Sequence, residues 1–287
     1  MNSVQKVNSI FREKTTIFKN EAVFDVHTHP KNYLFRESQL AIIANNIKPA
    51  LHGRGPIHTV LLGEYATGKT TAIRIVFNLA KDNSSKVLPV YINCKTHKTR
   101  FKVYSIIYEE VFSKKPPKRG TSSTILFDKI MKELFEKEKI LLIAFDDINY
   151  LLDNDKKGQQ LFYELLRAYE TFQVKIGVFP IITSLEFKYK FDHDISTIFI
   201  PQEVIFPQYS QEEVYSILKD RCCEGFIEGV INHEILLRIS DCVVETNNLR
   251  LGLNLLRALG SKAEIDGSDG ITLYHYNELI KTTKKYI

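Results

Sequence analysis

Residues 63–70 run Gly63-Glu64-Tyr65-Ala66-Thr67-Gly68-Lys69-Thr70, a full G-x-x-x-x-G-K-[ST] pattern. That spacing suits the holding of phosphate. Gly63 and Gly68 let the backbone curl so that its N–H groups face inward, Lys69 reaches the β/γ-phosphates, and the Thr70 hydroxyl sits on Mg²⁺. Thr71 completes the expected contact set for ATP or ADP. A second group able to do chemistry is Asp146-Asp147, which follows the apolar run Ile140–Phe145. Two adjacent carboxylates at the end of a buried strand are costly unless they meet a cation. Asp146 is expected on the metal side. Asp147 occupies the place where a general base, usually Glu, polarises the attacking water. Aspartate is one methylene shorter, so it should position water poorly.

These residues need elements to hold them. His58–Leu62 is short and partly β-branched, as a buried strand should be, and Ala72, Ile73, Ile75, Val76 and Leu79 form one face of a helix beginning near Lys69. Further strands are expected over 87–93, 139–145 and 174–183. Helices are expected over 36–51, 101–112, 124–138 and 161–169. Strands alternating with helices predict an α/β fold with a parallel sheet covered on both faces. Beyond Pro207 the pattern is helical, over 212–222, 234–242 and 248–262. The expected division is a nucleotide-binding base over 1–206 and a small helical domain over 207–287.

Composition sets limits. Of the 287 residues 44% are hydrophobic and 25% charged, ordinary for a globular chain with a substantial core. No apolar run approaches the ~20 residues of a membrane helix, and the N-terminus shows no signal-peptide core, so no membrane partner is expected. Cys94, Cys222, Cys223 and Cys242 show no zinc spacing, and the vicinal pair suits a disulfide poorly, pointing to a reducing cytoplasm. The net charge of +5 permits nucleic-acid contact without arguing for it. The segment Phe24-Asp25-Val26-His27-Thr28-His29-Pro30 resembles the H-x-H strand of metal-dependent amidohydrolases. That chemistry needs further ligands on later strands, and no suitable later His/Asp set is evident.

The motifs and their order resemble the AAA+ ATPases of the archaeal origin-recognition and cell-division-cycle initiator family. The matching stretches are Phe35–Leu40, Lys48–Leu51, the phosphate loop, Tyr91–Cys94, Asp146–Leu151, Val204–Tyr209 and Asn248–Arg250. The resemblance implies a P-loop AAA+ base followed by an all-helical lid. It implies that Val26–Glu37 lies against the adenine, that the sensor position after the fourth strand falls on Ser184, and that the lid arginine touching the γ-phosphate falls on Arg250. Relatives carry an arginine before the lid that reaches a neighbouring subunit's ATP. The aligned stretch here is Phe191-Asp192-His193-Asp194, which puts a negative charge at that place. Relatives also continue into a winged-helix domain that reads origin DNA, whereas this sequence ends at Ile287 after the lid.

In the family, DNA contact also comes from a helix after the second strand. The matching region here carries Lys95, Lys98, Arg100, Lys102, Lys114, Lys115, Lys118 and Arg119. Without a winged helix, duplex DNA should be held weakly and through its phosphates. The expected function is an ATP-binding switch in DNA replication, nucleoid-associated or free in the cytoplasm, with slow or no hydrolysis. Its partners would be nucleotide, duplex DNA, and initiator paralogues or other replication proteins. The alternatives are an active ATPase of replication or transposition, and an inhibitory initiator paralogue that acts through protein partners.

Overall fold

The structure is a computed structural model and describes residues 17–26, 28–117, 120–152, 156–183 and 191–283. It divides into two compact units, each described in turn: Arg36–Gln208, and Tyr209–Ile287 together with the N-terminal segment up to Phe35.

The first unit holds a five-stranded sheet in the order β2-β3-β4-β1-β5, with β1 Thr59–Leu62, β2 Val87–Asn93, β3 Ile140–Asp146, β4 Ile176–Ile182 and β5 Gln202–Ile205. Every pairing is parallel. All carboxyl ends therefore lie along one edge, where ligands bind in such sheets. The central strands β3 and β4 are buried over all seven residues, which explains their unbroken apolar sequence. Helices α1 (Glu37–Leu51) and α2 (Lys69–Asn83) supply Ile43, Ile47, Ile73 and Phe77 to the core. Phe77 meets Phe179 of β4 edge-on at 5.4 Å. Helices α3 (Arg100–Phe112) and α4 (Ser123–Glu136) start at side-chain caps. Thr99 accepts from the Lys102 N–H and Ser122 from the Ile125 N–H, satisfying donors the helix leaves open. Their residues Val103, Tyr104, Ile107, Leu126, Ile130 and Met131 share a core with β3 and with Leu161 and Phe162. The short α5 (Asn149–Leu152), then α6 (Lys156–Leu166), α7 (Ala168–Phe172) and α8 (His193–Ile198) complete this unit.

The second unit contains α9 (Gln211–Gly225), α10 (His233–Thr246), α11 (Leu249–Ile265) and α12 (Leu273–Thr283). Ser210 and Glu213 form a reciprocal capping box at α9, and Asn232 caps α10. The sequence pattern anticipates the first three helices but not α12.

The described residues of the N-terminal segment depart from the expected base domain: they pack on these helices. The Lys19 and Asn20 N–H groups donate to Gly225 O at 2.8 and 3.0 Å, and Phe18 bridges Phe226 in antiparallel fashion. Phe18, Phe24 and Phe226 form one aromatic cluster with centroids 4.5–6.0 Å apart. Arg221 donates to Val23 O at 3.1 Å, and Arg257 pairs with Glu21 at 2.7 Å. The physical reason is apolar burial: Ile17 and Phe24 are fully buried in the helical core.

Candidate nucleotide site

The loop between β1 and α2 curls at Gly63 and Gly68. Gly63 lies at φ +152°, and a Cβ there would run into the Phe206 carbonyl oxygen. Gly68, at φ +99°, turns the chain into α2. Lys69 is the first residue of that helix and only 5% exposed. Its ammonium donates to Gly63 O at 2.7 Å, Glu64 O at 2.5 Å and Thr67 Oγ1 at 3.3 Å. Thr67 donates in turn to Glu64 O at 2.8 Å. The loop is thus cross-braced by its own lysine, with the start of a helix behind it, an arrangement that favours anions. Tyr65 stands 63% exposed beside Ala66, which adopts a left-handed φ of +59°. Thr71 follows in the first turn of α2.

Thr70 and Asp146, the two residues expected on the metal side, lie in direct contact. The Thr70 hydroxyl donates to Asp146 Oδ2 at 2.8 Å, although 76 residues separate them. The Tyr91 hydroxyl donates to the same oxygen at 2.5 Å, and the Asp147 N–H donates to Asp146 Oδ1 at 3.1 Å. Burial, then the Asp146 charge, pushes the Tyr91 hydroxyl well above its ordinary range, so it stays protonated and donating. Arg74 lies over the Tyr91 ring at 4.1 Å. The donor set at this point, a hydroxyl and a carboxylate, is all oxygen and hard. It suits Mg²⁺, which takes one or two protein oxygens and completes its shell with phosphate and water. Among the described residues no group of three or more His, Cys, Asp or Glu could hold a metal ion by itself.

Asp147 is half-buried at a left-handed φ of +52°, directly after β3. Ser184, Lys118, Arg119 and His27 lie outside the described residues. Arg250 is exposed at the second position of α11, in the helical unit. Asp194 is exposed in the first turn of α8.

The basic set after β2 is less uniform than its sequence. Arg100 belongs to the fold: it grips Glu164 through Nε at 3.1 Å and Nη2 at 2.6 Å, with its side chain 13% exposed. Tyr104 donates to the same carboxylate at 2.7 Å. Arg100 is therefore withdrawn from the expected DNA-contacting set. Lys95 and Lys98 gather over the Tyr150 ring at 5.8 and 5.2 Å. Lys114 and Lys115 stand exposed beyond the other end of α3, with the exposed Glu109 and Glu110 in the helix between the two groups. Sequence reasoning also missed Tyr91 and Arg74 as parts of the site. Tyr91 carried a signal, since it stands two residues before the carboxyl end of the strand beside β3.

A family model for the Cdc6 AAA+ ATPase-type lid domain matches residues 215–278. The ORC1-type DNA replication protein 2 of Methanothermobacter thermautotrophicus is 41% identical over 278 residues, covering 96% of this chain and 73% of that protein. The structure of the Aeropyrum pernix ORC1 protein in complex with DNA superposes with a TM-score of 0.83 at 26% identity, covering 93% of this chain and 70% of the other. The Aeropyrum pernix ORC2 protein, solved as ADPNP–ADP complexes, shares the fold with a TM-score of 0.81 at 21% identity over 92% of this chain and 72% of the other. Among the described residues no helix is long and apolar enough to cross a membrane. Likeness of that extent, through both the parallel-sheet unit and the helical lid, makes this chain a member of the archaeal ORC1-type DNA replication protein family of AAA+ ATPases.

Proposed function

We propose that this protein is a nucleotide-dependent switch of replication initiation that binds ATP or ADP with Mg²⁺ and hydrolyses ATP slowly. The observation that carries the proposal is the Thr70–Asp146 hydrogen bond of 2.8 Å, which sets the cation-side hydroxyl of the phosphate loop against the acidic end of β3. Lys69 and the loop amides would hold the phosphates. Thr70 and Asp146 would hold Mg²⁺, whose chemistry is to neutralise phosphate charge. Two features support slow turnover. Asp147 is short for a water-polarising base. Asp194 puts a negative charge where the family places an arginine finger, and such fingers are worth ~10³–10⁵ in rate. Ser184 as sensor and Arg250 as the γ-phosphate arginine rest on the family resemblance. Calorimetry on Lys69→Ala tests the proposal: ATP and ADP binding should be lost while the thermal transition persists. Unchanged affinity would reject it.

Contact with duplex DNA forms part of this proposal. The Aeropyrum pernix ORC1 structure contains DNA, and Lys95, Lys98, Lys114 and Lys115 offer phosphate contacts here. Changing Lys114 and Lys115 to Glu should weaken binding to every duplex alike and flatten the salt dependence by about 0.9 in log–log slope per lost contact. Anisotropy titrations at several salt concentrations measure both. A strong preference for one duplex sequence would point to base readout instead.

A further inference from the structure

Arg36 is 2% exposed and heads the fully buried side chains by volume. A guanidinium withdrawn from water needs acceptors held in place. Its Nε donates to Thr67 O at 3.1 Å and its Nη2 to Pro207 O at 2.6 Å. The planar fork fixes those two carbonyls relative to each other. Thr67 lies inside the phosphate loop, and Pro207 lies just past the end of β5. Other contacts join the same two segments. Gly63 backs onto the Phe206 carbonyl, and the Gln208 side-chain amide donates to the Glu64 carboxylate. From the first turn of α1, Gln39 donates to Ile205 O at 3.1 Å.

The Arg36 bond has a consequence for anion binding. In a trans peptide the carbonyl and the following N–H point in opposite directions. Holding the Thr67 carbonyl on Arg36 turns the Gly68 N–H to the opposite side. It also keeps a carbonyl lone pair from facing a phosphate oxygen, which would repel it. A loop cradles anions through its amides only when its carbonyls are turned outward.

We propose that Arg36 is a positioning residue for the nucleotide. It fixes the phosphate loop to the segment Phe206–Gln208, so that nucleotide binding and the order of that segment are one linked property. This inference rests on the nucleotide-binding function proposed above. Linkage is reciprocal: a nucleotide that orders the loop protects the tethered segment, and loosening the segment weakens the nucleotide. Pro207 and Gln208 are the last residues before Tyr209, so the tether ends where the chain passes on into the helices.

The test uses the full chain with Mg²⁺ and either ADP or ATPγS. Calorimetry gives affinity, and hydrogen exchange reports the Phe206 and Gln208 amides. In the wild type, nucleotide should slow that exchange. Arg36→Lys keeps the charge and loses the fork; affinity should fall about tenfold or more and the nucleotide-dependent protection should vanish. A folding defect at a buried site would mimic this loss, so the exposed pair supplies a second arm. Gln208→Glu opposes two carboxylates and should weaken both affinity and protection. Adding Glu64→Gln restores the pair with its partners exchanged and should recover both, with Glu64→Gln alone as the charge control. Wild-type behaviour of Arg36→Lys, unprotected amides in nucleotide-bound wild type, or no recovery in the exchanged pair would each overturn the inference. A wild-type chain that binds neither nucleotide would instead reject the nucleotide site itself.

Discussion

In the sheet unit, Gly63 and Gly68 shape a loop: each holds a positive φ, and at Gly63 the Phe206 carbonyl fills the place of a side chain. In the helical unit, Gly225, Gly252 and Gly260 sit inside helices. There a Cβ would strike the Phe24 ring at Gly225. At Gly252 it would come within 2.6 Å of Val243 Cγ2, and at Gly260 within 2.5 Å of Phe18 Cζ. The first kind of glycine lets backbone amides approach a ligand. The second lets side chains, the Phe24 and Phe18 rings among them, approach a helix, and at the interior positions Gly252 and Gly260 it costs ~1 kcal/mol relative to alanine. The two units therefore respond differently to the same chemical change, an added methyl group.

Substitutions can break that comparison. Gly63→Ala should produce the largest effect, lowering nucleotide affinity by about a hundredfold or more, equivalent to ~2.7 kcal/mol, because the loop must reshape. Calorimetry measures it, and retained affinity would mean that the Phe206 contact is not needed for the loop's function. Gly260→Val should cost ~1–3 kcal/mol of stability through overpacking, read as a lower thermal midpoint. If Gly260→Val leaves the midpoint unchanged, the aromatic cluster is looser than its 4.5–6.0 Å centroid spacings indicate.

A smaller effect sharpens the contrast from the side of the sheet. The Val178 N–H donates to His58 Nδ1 at 3.1 Å, and the ring packs 5.7 Å from Phe199. Burial lowers the affinity of His58 for a proton. The unfolded chain therefore takes up the proton first as pH falls. Stability from this site is present above the ordinary imidazole value of about 6.5 and is lost as pH falls from there through the lowered folded value. His58→Gln should flatten the fall in thermal midpoint between neutral and mildly acidic pH. An identical pH profile in wild type and variant would exclude His58 as its source.

The parts of the molecule that were legible in the sequence are those whose signal is local. The run Ile140–Phe145 announces a strand buried on both faces, and the phosphate loop announces its own shape. Asp146 follows from both, since a parallel strand delivers its carboxyl end to the same sheet edge as the loop. β5 was hidden because only Val204 of its four residues is buried, too little for an apolar pattern. The N-terminal segment was misplaced because its partners lie some two hundred residues away, and Phe18 fits only where Gly260 leaves room. Tyr91 as a partner of Asp146, and Arg36 as a tether of the phosphate loop, were invisible for the same reason: their hydrogen bonds cross the fold. Arg100 illustrates the converse, a positive charge counted toward a surface that Glu164 had already claimed.

The bridge between Phe18 and Phe226 bears on how the chain is made. At ~5–20 residues per second, Phe18 emerges on the order of 10–40 s before its partner exists. Through that interval Ile17, Phe18 and Phe24 have no helical core to enter. The contiguous Arg36–Gln208 segment needs nothing beyond itself for its sheet and can form during the wait. Contacts closed over so long a span are the slow ones in folding. The aromatic cluster should therefore be among the last features to form on the nascent chain, and a chain interrupted before Phe226 would leave three large apolar side chains exposed at its leading end.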